Sequence, residues 1–82
     1  MERTIQGVSM KIYTKTGCEY CTKAKSALTN IGVKYEEIHI TDFAAFKTEH
    51  NWPTFPLIYD SLGHRIGGYN ELVKWIFDNG LI

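Results

Sequence analysis

Thr14-Lys15-Thr16-Gly17-Cys18-Glu19-Tyr20-Cys21 is the stretch that decides the fold. Upstream of it, Val8, Met10 and Ile12 alternate with Ser9, Lys11 and Tyr13, the period of a strand. Downstream, Cys21, Ala24, Leu28 and Ile31 recur at helical spacing, with Lys23, Lys25 and Thr29 off that face. Gly32 follows where a helix stops. A strand, a short loop and a helix therefore surround the two cysteines. Residues i and i+3 share one side of a helical turn, so the two sulfurs can meet in disulfide geometry with little backbone movement. Cys18 falls at the helix N-terminus, where unpaired N–H groups and the macrodipole favour a thiolate. Cys21 falls one turn in, more buried and closer to an ordinary thiol. That asymmetry makes Cys18 the attacking nucleophile and Cys21 the resolving thiol.

Beyond the first helix, Tyr35 to Ile40 reads as a second strand, and Glu36 and Glu37 within it mark a sheet edge. Asp42 is placed to cap a short helix carrying Phe43 and Phe46. Pro56-Leu57-Ile58-Tyr59 is a short apolar run, as expected of a strand covered on both sides. Asp60-Ser61-Leu62-Gly63 is turn chemistry leading to a brief strand at Arg65-Ile66. Gly67-Gly68 opens a final helix with Asn70 as its cap, Leu72, Val73, Trp75 and Ile76 on its apolar side, and Asn79-Gly80 as its stop. Phe43, Phe46, Trp75, Ile76 and Phe77 read as core or near-core residues. The order β-α-β-α-β-β-α is a parallel unit followed by a hairpin. It predicts an α/β, thioredoxin-like fold with a four-stranded mixed sheet flanked by helices. Residues 8–82 read as a single domain and residues 1–7, which show no periodicity, as a loose leader.

The whole chain sets bounds on function. Its 82 residues suffice for one small domain, and 44% hydrophobic with 22% charged residues is ordinary globular composition. Nine Lys and Arg balance nine Asp and Glu, so no broad electrostatic footprint for nucleic acid or anionic lipid is expected. No apolar run approaches the ~20 residues that span a bilayer. Met1 to Met10 lacks the apolar segment of a secretory signal. These readings predict a monomeric cytoplasmic protein with no membrane or nucleic-acid partner. A disulfide closing so short a loop would constrain the unfolded chain very little, which favours a catalytic or metal-binding pair. His39, His50 and His64 complete no zinc-finger or zinc-ribbon spacing with the cysteines, so no metal is expected.

Three motifs together resemble the glutaredoxin family. Cys18-Glu19-Tyr20-Cys21 stands where that family has Cys-Pro-Tyr-Cys, with Lys15 three residues before it. Thr54-Phe55-Pro56 stands where it has Thr-Val-Pro, and Gly67-Gly68-Tyr69-Asn70-Glu71 where it has Gly-Gly and a polar or acidic pair. The resemblance runs from about Met10 to the end, and the motif spellings are similar to those of small phage-encoded or bacterial members. It implies glutathione as reductant and co-substrate. It also implies a glutathione site of Lys15, Tyr20, Thr54, Phe55, Pro56, Gly68, Tyr69 and Asn70. Lys15 and the side of the pocket near Tyr20 would face a carboxylate, the backbone of Phe55 would pair with the cysteinyl part, and Gly68, Tyr69 and Asn70 would hold the γ-glutamyl end. Physical reasons stand beside each role. A residue before a cis proline offers free N–H and C=O groups to an extended peptide, and Pro56 rather than Pro53 is expected to carry the cis bond. A glycine pair before a helix lets backbone approach a ligand whose carboxylate the helix N-terminus attracts.

The resemblance implies a thiol–disulfide oxidoreductase for protein disulfides and protein–glutathione mixed disulfides, with ribonucleotide reductase as one client by family analogy. Two alternatives stand beside it. One is a redoxin of this type reduced by thioredoxin reductase. The other is a carrier that holds an iron–sulfur cluster between protomers through Cys18 and glutathione. Two departures from the family matter: Glu19 replaces the proline, placing a negative charge beside the thiolate, and Leu57 replaces a residue that is commonly polar.

Overall fold

The computed structural model describes residues 9–81. The leader reading for residues 1–7, and Val8 with it, lie outside the described residues. The elements run β1 (Met10–Thr14), α1 (Glu19–Asn30), β2 (Tyr35–His39), α2 (Phe43–His50), β3 (Leu57–Tyr59), β4 (Arg65–Gly67) and α3 (Tyr69–Asp78). The expected order therefore holds, and the strands form one sheet in the order β2-β1-β3-β4. β1 and β2 are parallel, with Met10 opposite Tyr35 and Thr14 opposite His39. β1 and β3 are antiparallel with Ile12 opposite Ile58, and β3 and β4 close the hairpin. β2 is an edge strand, and Glu36 and Glu37 on it are exposed residues.

Alternation along β1 divides the core. Met10 and Ile12 join Ala24 and Leu28 of α1, Ile58 of β3, and Leu72 and Ile76 of α3 in one buried cluster. The opposite face carries Tyr13 and Tyr59, which meet α2 through Phe46 and His50. Leu57 and Ile58 are fully buried, as a strand covered on both faces requires. The punctuation also follows local chemistry. Asp42 Oδ1 accepts the Ala45 N–H at 3.0 Å and caps α2. Asp60 Oδ1 accepts the N–H groups of Leu62 and His64, each at 2.9 Å, and so shapes the hairpin turn.

Two expectations are corrected. Asn70 does not cap the last helix. Gly68 is the N-cap, in extended backbone, and its N–H donates to Glu71 Oε1 at 2.9 Å. A carboxylate three residues on reaches back to the cap N–H, so the helix starts before Asn70. Phe43 and Phe77 are not core residues, being 45% and 63% exposed. α2 has only eight residues and turns Phe46 toward the sheet, and Phe77 follows the buried Ile76 onto the outer face of α3. No helix among the described residues is long and apolar enough to cross a membrane.

Candidate active site

β1 ends at Thr14, and three loop residues carry the chain to Cys18, the N-cap of α1. At an N-cap a side-chain acceptor meets the N–H three residues on, and here the acceptor is sulfur. The Cys21 N–H donates to Cys18 Sγ at 3.1 Å. The cysteines are joined as a disulfide with Cα atoms 5.2 Å apart, the oxidised state of the pair. Cys21 is only 2% exposed, whereas Cys18 is partly exposed. The same N–H and the N-terminus of α1 lie beside Cys18 and are features that favour a thiolate, whereas burial at Cys21 disfavours one. Glu19 points to solvent with Lys23 3.9 Å away, so water and salt screen its field at the thiolate.

Beyond Tyr20 a cavity of about 460 Å³ opens. Seven of the eight residues expected around glutathione line it: Tyr20, Thr54, Phe55, Pro56, Gly68, Tyr69 and Asn70. They come from the cysteine turn, the segment before β3 and the start of α3. The Phe55–Pro56 bond is cis, as expected, and β3 starts only at Leu57. Lys15 is the exception. It lines a separate groove with Cys18, and its ammonium lies over the rings of Phe43 and Phe55, 5.5 and 5.8 Å from their centroids. It therefore borders the cavity through Phe55 without entering its wall.

The structure adds residues that sequence reasoning passed over. Trp52 and Glu71 line the cavity. The Trp52 indole N–H is buried with no hydrogen-bond partner among the described residues. Its ring faces the Arg65 guanidinium at 5.4 Å, and Arg65 Nη1 donates to the Asn51 carbonyl at 3.3 Å. Their only signal was position: Trp52 precedes one motif and Glu71 ends another. His50, which no pattern marked, sits 4.7 Å from Tyr13 and 4.6 Å from Phe46, centroid to centroid. Phe46 in turn stacks on Phe55 at 4.7 Å, so an aromatic layer beneath the cavity steadies its wall.

Below the cysteine loop, the hydroxyl of Thr14, a residue 1% exposed, donates to Glu37 Oε2 at 2.7 Å, and Lys25 Nζ donates to the same oxygen at 3.1 Å. The Thr14 hydrogen bond first, and then Lys25, hold the Glu37 carboxyl below its ordinary value. A depressed carboxylate adds stability above its unfolded pKa and loses it as pH falls through the folded one. Thr14→Val is therefore expected to lower the urea midpoint at pH 7. The charge-assisted part of that loss should fade as pH drops from the ordinary value of 4.5 through the folded value. An equal loss at pH ~7 and pH ~3 would contradict the linkage.

A mixed four-stranded sheet bearing a Cys-x-x-Cys pair at the N-terminus of its first helix defines a thioredoxin-fold thiol–disulfide oxidoreductase. Comparison with known proteins narrows the class. A sequence model of the glutaredoxin family matches residues 10–62. Glutaredoxin 3 of Escherichia coli is 37% identical over 68 residues, covering 78% of this chain and 81% of that protein. The hybrid peroxiredoxin hyPrx5 of Haemophilus influenzae is 34% identical over 70 residues, which cover 82% of this chain but only 29% of that longer protein. The crystal structure of glutaredoxin 1 from Francisella tularensis superposes with a TM-score of 0.76 at 34% identity, over 89% of this chain and 95% of that one. The chain belongs to the glutaredoxin family.

Proposed function

We propose that this glutaredoxin draws its electrons from glutathione and reduces both protein disulfides and protein–glutathione mixed disulfides. The observation that carries the proposal is the single cavity beside Tyr20, which gathers three separated motifs. Its ~460 Å³ falls within the ~300–1,000 Å³ usual for small-ligand sites. In this reading the cysteinyl part of glutathione lies along the Phe55 backbone. The γ-glutamyl carboxylate sits at the first N–H groups of α3, on Tyr69 and Asn70, which no intrahelical carbonyl can reach. Gly68 keeps the close-approach part that its motif suggests. Its N–H already serves Glu71, so it contributes close approach rather than a donor.

The chemistry follows from the two thiols. The Cys18 thiolate attacks the glutathione sulfur of a mixed disulfide, the new S–S bond forms to Cys18, and the protein thiolate leaves. A second glutathione thiolate then attacks that sulfur and releases glutathione disulfide. With a protein disulfide, Cys21 instead displaces the client from Cys18, giving the Cys18–Cys21 disulfide for glutathione to reduce. The deciding experiment supplies electrons either from glutathione with its reductase or from thioredoxin reductase. Turnover with glutathione is expected. Turnover only with thioredoxin reductase would overturn the proposal.

Lys15→Ala tests the charge at the cavity's border. It is expected to raise the KM for glutathione mixed disulfides by about 1.4- to 5-fold, the size of an exposed ion contact worth ~0.2–1 kcal/mol, with little change in kcat. The difference from the unsubstituted protein should shrink as salt rises. Identical KM values at low salt would remove Lys15 from the site.

A further inference from the structure

A second depression is lined by Cys18 itself and has no occupant in the reading above. It holds about 430 Å³ and shares no lining residue with the cavity over Pro56. Its walls carry Lys15, Lys25 and His39 against Glu19 and Glu37, so the charge balance decides what it takes. Glu37 is spent on Lys25 at 3.1 Å and on the Thr14 hydroxyl at 2.7 Å. Glu19 faces Lys23, which lies outside the groove. The imidazole of His39 shares a hydrogen bond with the Thr16 hydroxyl at 3.2 Å. Among the described residues, no carboxylate stands within ion-pair distance of Lys15. Its ammonium rests over the rings of Phe43 and Phe55 instead. Ring faces fix a cation in place but bring no net charge, so the charge of Lys15 stays available to a partner. Phe43, nearly half exposed, adds an apolar shelf beside it.

A protein client must lay its main chain on this surface at either side of its cysteine. We propose that the groove between Cys18, Lys15 and His39 seats the polypeptide of disulfide clients, and that it selects a client cysteine flanked by an acidic residue whose carboxylate pairs with Lys15. The client and glutathione meet Lys15 in turn, because the client has left Cys18 before glutathione restores the dithiol. The proposal rests on Cys18 being the attacking thiol, as in the reading above, and not on glutathione being the reductant.

The test therefore contains no glutathione. Three peptides differ only in having Glu, Gln or Lys on both sides of a cysteine carried as its thionitrobenzoate mixed disulfide. The Cys18 thiolate of the reduced protein, in excess, attacks the peptide sulfur. The Cys18–peptide disulfide forms, the bond to thionitrobenzoate breaks, and the coloured anion leaves with the electron pair. Each rate is divided by that of the same peptide with 2-mercaptoethanol, which removes differences in intrinsic reactivity. The Glu peptide is expected to react about two- to fivefold faster than the Lys peptide at low salt, with the ratio approaching unity near ~1 M salt. Thr22→Glu puts a carboxylate into the groove and should cancel or invert that ratio, and Thr22→Gln should keep it. The new carboxylate also disfavours the thiolate, but it slows all three peptides alike, so the ratio is the readout. Equal rates for the three peptides, or a ratio indifferent to Thr22→Glu, would overturn the groove. Failure of all three peptides to react would overturn the assignment of Cys18 itself. Loss of glutathione turnover with the peptide ratio intact would count against the glutathione reading alone and support the groove.

Discussion

Cys18→Ser is expected to reduce turnover of protein disulfides and of glutathione mixed disulfides to the uncatalysed background. Cys21→Ser is expected to lose only the first. The division follows from the number of thiols each reaction consumes. Removing glutathione from a protein needs one thiolate at the enzyme, because a second glutathione finishes the cycle. Releasing a protein held on Cys18 needs a neighbouring thiol, and Cys21 is the partner the structure provides. The two variants should also differ in stability. Serine is a favoured N-cap, so Cys18→Ser keeps a side-chain acceptor for the Cys21 N–H and should fold as well as the unsubstituted protein. Cys21 is 2% exposed, and a hydroxyl left without a partner there would cost about 1–3 kcal/mol. Assays of both reactions beside thermal melts of the reduced proteins check all four outcomes. Equal loss of both activities in Cys21→Ser, with the fold intact by circular dichroism, would remove the division of labour.

The adjacent glycines Gly67 and Gly68 are expected to fail in opposite ways. Gly67 has φ +126°, where side chains are rarely tolerated, and a Cβ there would stand 2.8 Å from Glu71 Cγ and 2.9 Å from Glu71 Cβ. A change of rotamer can move Cγ, but Cβ is fixed by the helix. Gly67→Ala should therefore cost about 1–3 kcal/mol from backbone strain alone, with the clash in addition. Each kcal/mol lowers the Tm of a domain this size by about 4–8 °C. Gly68 has φ −92°, which any residue adopts, and its Cβ would meet nothing closer than Glu71 Oε1 at 3.3 Å and the Pro56 carbonyl at 3.5 Å. Gly68→Val should fold, but its methyl groups would occupy the cavity. Glutathione turnover should fall on the order of tenfold to a hundredfold, as for a ligand held out of place by about 1 Å. Melting curves and glutathione assays on both variants separate the effects. If Gly68→Val turns over glutathione normally, the cavity is not the glutathione site. If Gly67→Ala melts with the unsubstituted protein, the strain argument fails.

Much of this molecule was legible as sequence because the signals involved are local. The alternation of Met10 and Ile12, the helical spacing of Cys21, Ala24 and Leu28, and Gly32 after the helix each act within a few residues. Backbone sterics and burial settle them before any distant contact forms. The same holds for the cap at Asp42, for the place of Cys18 at a helix N-terminus and for the edge character of Glu36 and Glu37. The cap of the last helix was misplaced because Asn70 and Glu71 both offer capping chemistry. The choice fell to the extended backbone at Gly68, which lets the Glu71 carboxylate reach back to the Gly68 N–H.

What remained for the tertiary structure was everything that depends on distance across the sheet. Sequence places Trp52, Tyr20 and Glu71 far apart, and only the packing of the loop before β3 against α3 and the cysteine turn makes them walls of one cavity. No periodicity records that His50 supports Phe55 through Phe46, because these contacts depend on how the irregular segment after α2 folds back onto that helix. Lys15 shows the division most clearly. Its place three residues before Cys18 is written in the chain, yet the direction of its charge is set by where the Phe43 and Phe55 rings come to lie. Local backbone chemistry thus determined the elements and the redox pair. Which side of that pair each charge faces was decided only when the sheet and helices packed, since a lysine's long, flexible stem takes its direction from its neighbours.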